Sequence, residues 1–272
     1  MGAVSFSIDP DLVAALRKSL PLTLFVETGT FQGDSLEAVS SGFSRSISVE
    51  ASTDLWRKAK ERFKHRGDIE ILCEDSATAL GRVRTTFEQH STLFWLDAHW
   101  CIAGETAGEA SQCPLLSELR SIGKLRPDSA LLIDDARLFL CVPPTPHDVS
   151  QWPSFSEIVI ELERLNPDHQ LAVVNDVIAF YPASARADMD AYARAHGIDW
   201  LRAVQSLSEN HLLRSSLEEK EAVIRDMGVE VEKMRLSLEK KRTLIGHLSA
   251  KSTDLAKWLW QRIVPKKDSL VR

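Results

Sequence analysis

Nowhere in these 272 residues do about 18 apolar residues follow one another, so no segment has the length and apolarity of a membrane-spanning helix. The opening MGAVSFSIDPDLV has neither a basic start nor a long apolar core, which is not a secretory-signal pattern. Gly2 follows the initiator, but Phe6 stands where a myristoylation pattern needs Ser or Thr. Cysteine is scarce: Cys73, Cys101, Cys113 and Cys141 stand far apart, with no CxxC pair. The expectation is a cytosolic protein with reduced thiols. The usual glycine-rich spellings, GxGxxG and GxxxxGK[ST], are both missing, so nothing points to a triphosphate cradle. Positive charge is short in the body of the chain. Residues 205–272 carry 14 Lys+Arg against 10 Asp+Glu, which leaves 19 against 29 for residues 1–204. So acidic a body does not suit a nucleic-acid binder.

What is present centres on Leu22 to Ser35, LTLFVETGTFQGDS. An apolar run stops at Glu27, the turn carries Gly29 and Gly33, and a helix-like pattern follows through Leu36, Ala38 and Val39. That is strand, tight turn and helix start, the place where open α/β sheets bind nucleotides. An ordinary βα turn has the same spelling.

A short helix is expected before it, from Asp9 to Leu20, with Pro10 at its start. After it the chain alternates. Strands are expected at Leu22–Glu27, Ser46–Val49, Ile69–Cys73, Thr92–Leu96 and Ala130–Ile133. Helices are expected near 34–41, 53–65, 77–89, 114–125 and 154–165. Such alternation means a parallel sheet covered on both faces. Two apolar runs then close the body, Gln170–Val174 and Val177–Tyr181. Asn175-Asp176 between them suggests a tight antiparallel hairpin. This ending resembles that of the class I methyltransferase fold, whose seventh strand inserts antiparallel into a parallel sheet.

From Ser208 the pattern changes. Asn210, Leu217, Ile224, Val231, Leu238, Ile245, Ser252 and Leu259 recur every seven residues. Leu213, Lys220, Met227, Met234, Lys241, Leu248 and Leu255 form the series three residues later. No proline lies between Pro182 and Pro265. These are a and d positions of a coiled coil. The β-branched a residues lean towards a parallel dimer, while the oligomer state stays open. A single amphipathic helix folded back on the body is the alternative. The domain expectation is a body over 1–204, a coiled-coil helix over 205–262 and a basic tail over 263–272. The segment from Lys257 to Lys267, with Trp258 and Trp260, mixes tryptophan with cations. It reads equally as a membrane-surface or partner contact and as a packed coil cap.

Every expected parallel strand ends in acid: Glu27, Glu50, Asp75, Asp97, and Asp134 with Asp135. Ligands of such sheets bind outside the carboxyl ends of the strands. Glu50, about 20 residues past the glycine turn, suits the hydroxyls of a nucleoside ribose, or else serves as a helix N-terminal charge. Asp75-Ser76 offers an acceptor for an adenine amine, or an N-cap for the next helix. Asp97, Asp134 and Asp135 end neighbouring strands and would repel unless a cation or protons compensate. Hard oxygen ligands suit Mg²⁺, and His99 beside them could take a proton. The plainer reading gives Asp134 to a turn, Asp135 to solvent and His99 to the core. His99, Cys101 and Cys113 match no standard zinc spacing, and no base is assigned to a cysteine nucleophile. Residues 101–112 read as a lid over the cleft.

Together FVETGTFQGDS, SVEAS, CEDS, WLDAHW and LLIDDA resemble the S-adenosylmethionine-dependent class I methyltransferases, in particular the macrocin O-methyltransferase-like group of bacterial glycan clusters. The likeness spans roughly residues 20–182. It implies a Rossmann-like α/β sheet with a terminal antiparallel hairpin, followed here by a long C-terminal helix. It also implies a Mg²⁺-assisted O-methyltransferase acting on a sugar hydroxyl. Glu27, Gly29, Thr30, Gly33 and Ser35 would then cradle S-adenosylmethionine, Glu50 would hold its ribose, and Asp75 and Ser76 its adenine. Asp97, Asp134 and Asp135 would bind the metal, with Asp97 also touching the cofactor and His99 acting as base. The chain departs from the family at Phe31, where many methyltransferases place their middle glycine. A body followed by a coil also resembles surface-polysaccharide methyltransferases and modular glycosyltransferases assembled near a membrane. That implies homo-oligomers, a glycan acceptor, a glycosyltransferase or membrane-surface partner at the C-terminus, and a place at the inner membrane face. Two rivals stand beside this expectation: a cofactor-binding scaffold without turnover that serves the coil, and a methyltransferase of a non-glycan small molecule.

Overall fold

A computed structural model describes residues 7–99 and 111–263. The elements run α1 (Pro10–Ser19), β1 (Leu24–Thr28), α2 (Asp34–Val39), β2 (Arg45–Glu50), α3 (Thr53–Arg62), β3 (Ile69–Cys73), α4 (Ser76–Gln89) and β4 (Thr92–Leu96). They continue with α5 (Leu115–Ile122), β5 (Ala130–Ile133), α6 (Arg137–Leu140), α7 (Phe155–Leu165), β6 (His169–Val174), β7 (Val177–Pro182), α8 (Arg186–His196) and α9 (Trp200–Ile263). The boundary between two separate units falls between Ile198 and Asp199. Residues 205–208, expected to begin the coil, therefore lie inside a helix that has already started at Trp200.

The seven strands form one sheet in the order β3-β2-β1-β4-β5-β7-β6. The first five are parallel, and β7 runs antiparallel to both β5 and β6. This is the Rossmann-like methyltransferase sheet with its terminal hairpin. The order reverses beside β1, where the chain turns from building towards β3 to building towards β6. That puts the ends of β1 and β4 at the crevice of the sheet.

Strand alternation separates two apolar cores, one on each face. Phe25, Trp95 and Leu132 pack with Leu12 and Leu16 of α1 and Met189 of α8. Val26, Phe94, Leu96 and Ile133 pack with Leu80 of α4, Leu119 of α5 and Ile158 of α7. The central strands are buried along their whole length, as strands covered on both faces must be. Helix starts follow their capping residues. Asp9 caps α1 and Ser52 caps α3, while Ser154 and Glu157 form a reciprocal capping box on α7. Two helices were not expected. The four-residue α6 is too short for a periodic signal, and Ala-rich α8 carries a weak one, although Met189 and Tyr192 are buried.

α9 is one continuous helix of 64 residues without a single buried side chain. Among the described residues no helix is long and apolar enough to cross a membrane. The expected lid over 101–112 falls mostly outside the described residues, as do Cys101 and the tail from 264.

Candidate functional site

The site begins at the turn after β1. Gly29 has φ +82°, and a Cβ there would stand 2.2 Å from the Asp97 carbonyl oxygen. Only glycine lets the ends of β1 and β4 come this close. Gly33 also has φ +82°, and a Cβ there would press on the Phe63 ring at 2.6 Å. Phe31, the departure from the family spelling, takes φ +46°. The phenylalanine thus adopts a left-handed backbone that glycine takes without strain, and such strain in a side-chain-bearing residue is held by its surroundings. Its N–H donates to Glu50 Oε2 at 2.8 Å, and Ser52 N–H donates to Glu50 Oε1 at 2.8 Å. Buried Glu50 therefore ties the β1 turn to the β2 turn.

Three of the expected cradle residues turn inward. The Ser48 hydroxyl donates to Glu27 Oε2 at 2.6 Å, and Thr30 Oγ1 lies 2.6 Å from Ser48 Oγ. Glu27, Thr30 and Ser35 are all buried. Burial pushes the Glu27 carboxyl up to about 8, with the Glu50 charge adding to it, although Ser48 and Ser35 favour the ionised form. Asp75 is exposed and caps α4, accepting from Thr78 N–H at 2.9 Å and from Thr78 Oγ1 at 2.8 Å. The capping alternative is thus realised there. Ser76 is buried at the start of the same helix.

Across the crevice, Asp97, His99, Asp134 and Asp135 come together as their positions at the ends of β4 and β5 implied. His99 Nε2 lies 2.6 Å from Asp135 Oδ2, and its Nδ1 lies 3.8 Å from Asp97 Oδ1. The His99 side chain is 5% exposed, against 28% for Asp97 and 20% for Asp135. Phe139 and Trp152 pack edge-on to the imidazole at ring distances of 6.3 and 5.7 Å. Burial opposes the imidazolium, but the Asp135 hydrogen bond and the charges of Asp97, Asp135 and Asp134 lift His99 to about 9. Burial raises both Asp97 and Asp134, with the charges of Asp134, Asp135 and Glu27 adding to it at Asp97 and those of Asp135 and Asp176 at Asp134. Asp135 moves down, because His99 and Arg137 outweigh its burial.

The acidic trio was expected to hold Mg²⁺, and the donors do not fit that ion as folded. Asp135 gives Oδ2 to His99 and Oδ1 to Arg137 Nη1 at 2.5 Å. Asp134 Oδ1 accepts the Asp135 N–H at 2.8 Å. Among the described residues no three His, Cys, Asp or Glu side chains are grouped around one ion. The cationic partners in this group are the Arg137 guanidinium at Asp135 and His99 between Asp135 and Asp97. Arg137 also pairs with Asp176 at the tip of the β6–β7 hairpin, which in addition accepts the Arg137 N–H at 2.6 Å. The Asp176 carbonyl accepts from Ala136 N–H at 2.8 Å. The hairpin tip therefore clamps the loop in which Asp135 adopts φ +55°.

Sequence reasoning missed Arg137, Asp176, Phe139, Trp152 and Glu118. Glu118, buried on α5, lines a small cavity with His99, and burial pushes its carboxyl up. Trp152 belongs to the proline-rich loop before α7. Its indole donates to Gln112 Oε1 at 3.0 Å, which fixes that loop beside His99. Arg137 had one available signal, a cation two residues after an acidic pair.

The strand order with its antiparallel β7 is that of the class I methyltransferase fold, and a histidine–carboxylate cluster stands at its crevice. No family model and no curated protein sequence matches the chain. Solved structures similar to it include an SAH-bound methyltransferase from Podospora anserina, with 15% identity and a TM-score of 0.40, covering 63% of this chain and 75% of that one. An O-methyltransferase from Bacillus cereus in complex with SAH has 16% identity and a TM-score of 0.42, covering 63% and 78%. The N-methyltransferase NodS from Bradyrhizobium japonicum has 15% identity and a TM-score of 0.39, covering 63% and 92%. Likenesses this distant leave the chemistry to the side chains.

Proposed function

We propose that residues 7–198 bind S-adenosylmethionine across the ends of β1, β2 and β4 and transfer its methyl group to a hydroxyl of the acceptor. The observation that carries this reading is His99 held between Asp97 and Asp135, directly across from the Gly29 turn. S-adenosylmethionine would supply the methyl group as an electrophile. Glu50 keeps lone pairs free on both oxygens for the ribose hydroxyls after accepting its two backbone N–H groups. His99 acts as base in the form that has lost its proton, reached as pH rises through about 9, and in that form Asp135 accepts from Nε2–H and so fixes the tautomer whose Nδ1 is the base. Nδ1 takes the hydroxyl proton, and the resulting imidazolium is stabilised by Asp135 and Asp97. Phe139 and Trp152 limit water at the ring.

The donor set supports a base-assisted transfer without a metal step. A sugar as acceptor rests on the resemblance of the ETGTFQG, WLDAHW and LLIDDA segments to glycan-cluster enzymes. The test is transfer of labelled methyl from S-adenosylmethionine to a panel of glycosides and small hydroxyl compounds, with and without EDTA. Transfer that survives EDTA and is lost in His99→Ala supports the reading. Dependence on added Mg²⁺ would overturn its metal-free chemistry, and wild-type chain that binds the cofactor but methylates nothing would favour the scaffold rival.

A further inference from the structure

We propose that α9 pairs with α9 of a second copy of this chain as a parallel, in-register, two-stranded coiled coil. The a residues Leu217, Ile224, Val231, Leu238 and Ile245 and the d residues Leu213, Met227, Met234, Leu248 and Leu255 are all more than half exposed. They share one stripe of a helix that has no buried side chain. From Leu213 to Leu259 the stripe is about 70 Å long on a helix about 10 Å wide, or roughly 700 Å² per chain. Two such stripes cover roughly 1,400 Å², inside the roughly 1,200–2,000 Å² of stable interfaces.

Charge selects the occupant and the direction. With this register, Glu209 and Glu230 occupy g, while Arg214 and Arg235 occupy e. A parallel pair sets each g residue beside the e residue five positions later on the other copy. Glu209 then meets Arg214, and Glu230 meets Arg235. No like-charged g–e pair arises anywhere along the seam. An antiparallel pair sets e against e. In that arrangement Glu209 and Glu230 at g no longer meet Arg214 and Arg235 at e, and full overlap of the two stripes sets Arg235 against Arg235. The surface is thus complementary to itself in one orientation. Lys220 and Lys241 at d lay their stems along the seam and carry their ammonium groups to its edge. Lys220 there stands beside Glu221 of the second copy, and Lys241, beside Arg242, marks the weakest layer.

The test uses the full chain. Analytical ultracentrifugation at micromolar concentration should give twice the chain mass. Glu230→Arg should weaken the dimer roughly tenfold, and Glu230→Arg with Arg235→Glu should restore it. Met234→Cys, oxidised with diamide, should give a covalent dimer on a denaturing gel under conditions where wild type does not. Circular dichroism of each variant separates a lost interface from a lost fold. A monomer at 100 μM, a trimer, or a dimer that Met234→Cys does not cross-link would each overturn the proposal.

Discussion

The two units of this chain use apolar residues in opposite ways. In residues 7–198, Leu16, Phe25 and Trp95 are fully buried, and both faces of the sheet are covered. Along α9, Ile224, Leu238 and Ile245 are each 65–67% exposed. In the first unit apolar surface has been spent on folding, so its polar residues at the strand ends are free to specialise. In the second it stays exposed, and the proposed pairing of two copies would cover it. The chemistry and the assembly should therefore fail separately.

The largest expected separation is in turnover. His99→Ala should lower methyl transfer by roughly 10²–10⁴-fold, the usual worth of a positioned base, while calorimetry shows cofactor affinity unchanged. Leu238→Ala should leave turnover per site intact and weaken assembly. Stability divides in the same way. Trp95→Ala should destabilise the globular unit by about 3–5 kcal/mol in urea unfolding. Ile245→Ala on α9 should leave that transition where it is.

A pH experiment sharpens the contrast. The folded value of Glu27, about 8, lies above its ordinary 4.5. Its contribution to apo stability is therefore full below about 4.5 and is lost as pH rises through about 8. Glu27→Gln removes that dependence. Its melting temperature relative to wild type should rise between pH 5 and pH 8, by the equivalent of a few kcal/mol. A difference that stays flat with pH would show that Glu27 is solvated. Smaller still, Asp176→Asn should cost about 1–3 kcal/mol by loosening Arg137, with a matching loss of transfer. The exposed pair Arg57–Asp54 sets the floor, and Asp54→Ala should change stability by less than about 0.5 kcal/mol.

Much of the fold was legible in the sequence because its signals are local. Alternating apolar runs placed five parallel strands, and Asn175-Asp176 placed the hairpin whose antiparallel strand marks this sheet. The acids at strand ends gathered His99, Asp97, Asp134 and Asp135, since topology alone brings β4 and β5 together. What stayed hidden is how those acids are satisfied. The Mg²⁺ expectation took no account of Arg137, whose partners Asp135 and Asp176 lie 41 residues apart in the chain. Nothing in a local window shows that a hairpin tip folds back onto the site. For the same reason the sequence did not show that Ser48 of the neighbouring strand hydrogen-bonds both Thr30 and Glu27. Asp75 was read as either a cofactor contact or a cap, and it caps α4 through Oδ2 alone.

One titration bears most directly on the globular unit: S-adenosylmethionine and its demethylated product into wild type and Glu50→Ala by calorimetry. Binding of both ligands to wild type, lost in a Glu50→Ala variant that still folds, is the result predicted here. Wild-type protein that binds neither would contradict the methyltransferase reading.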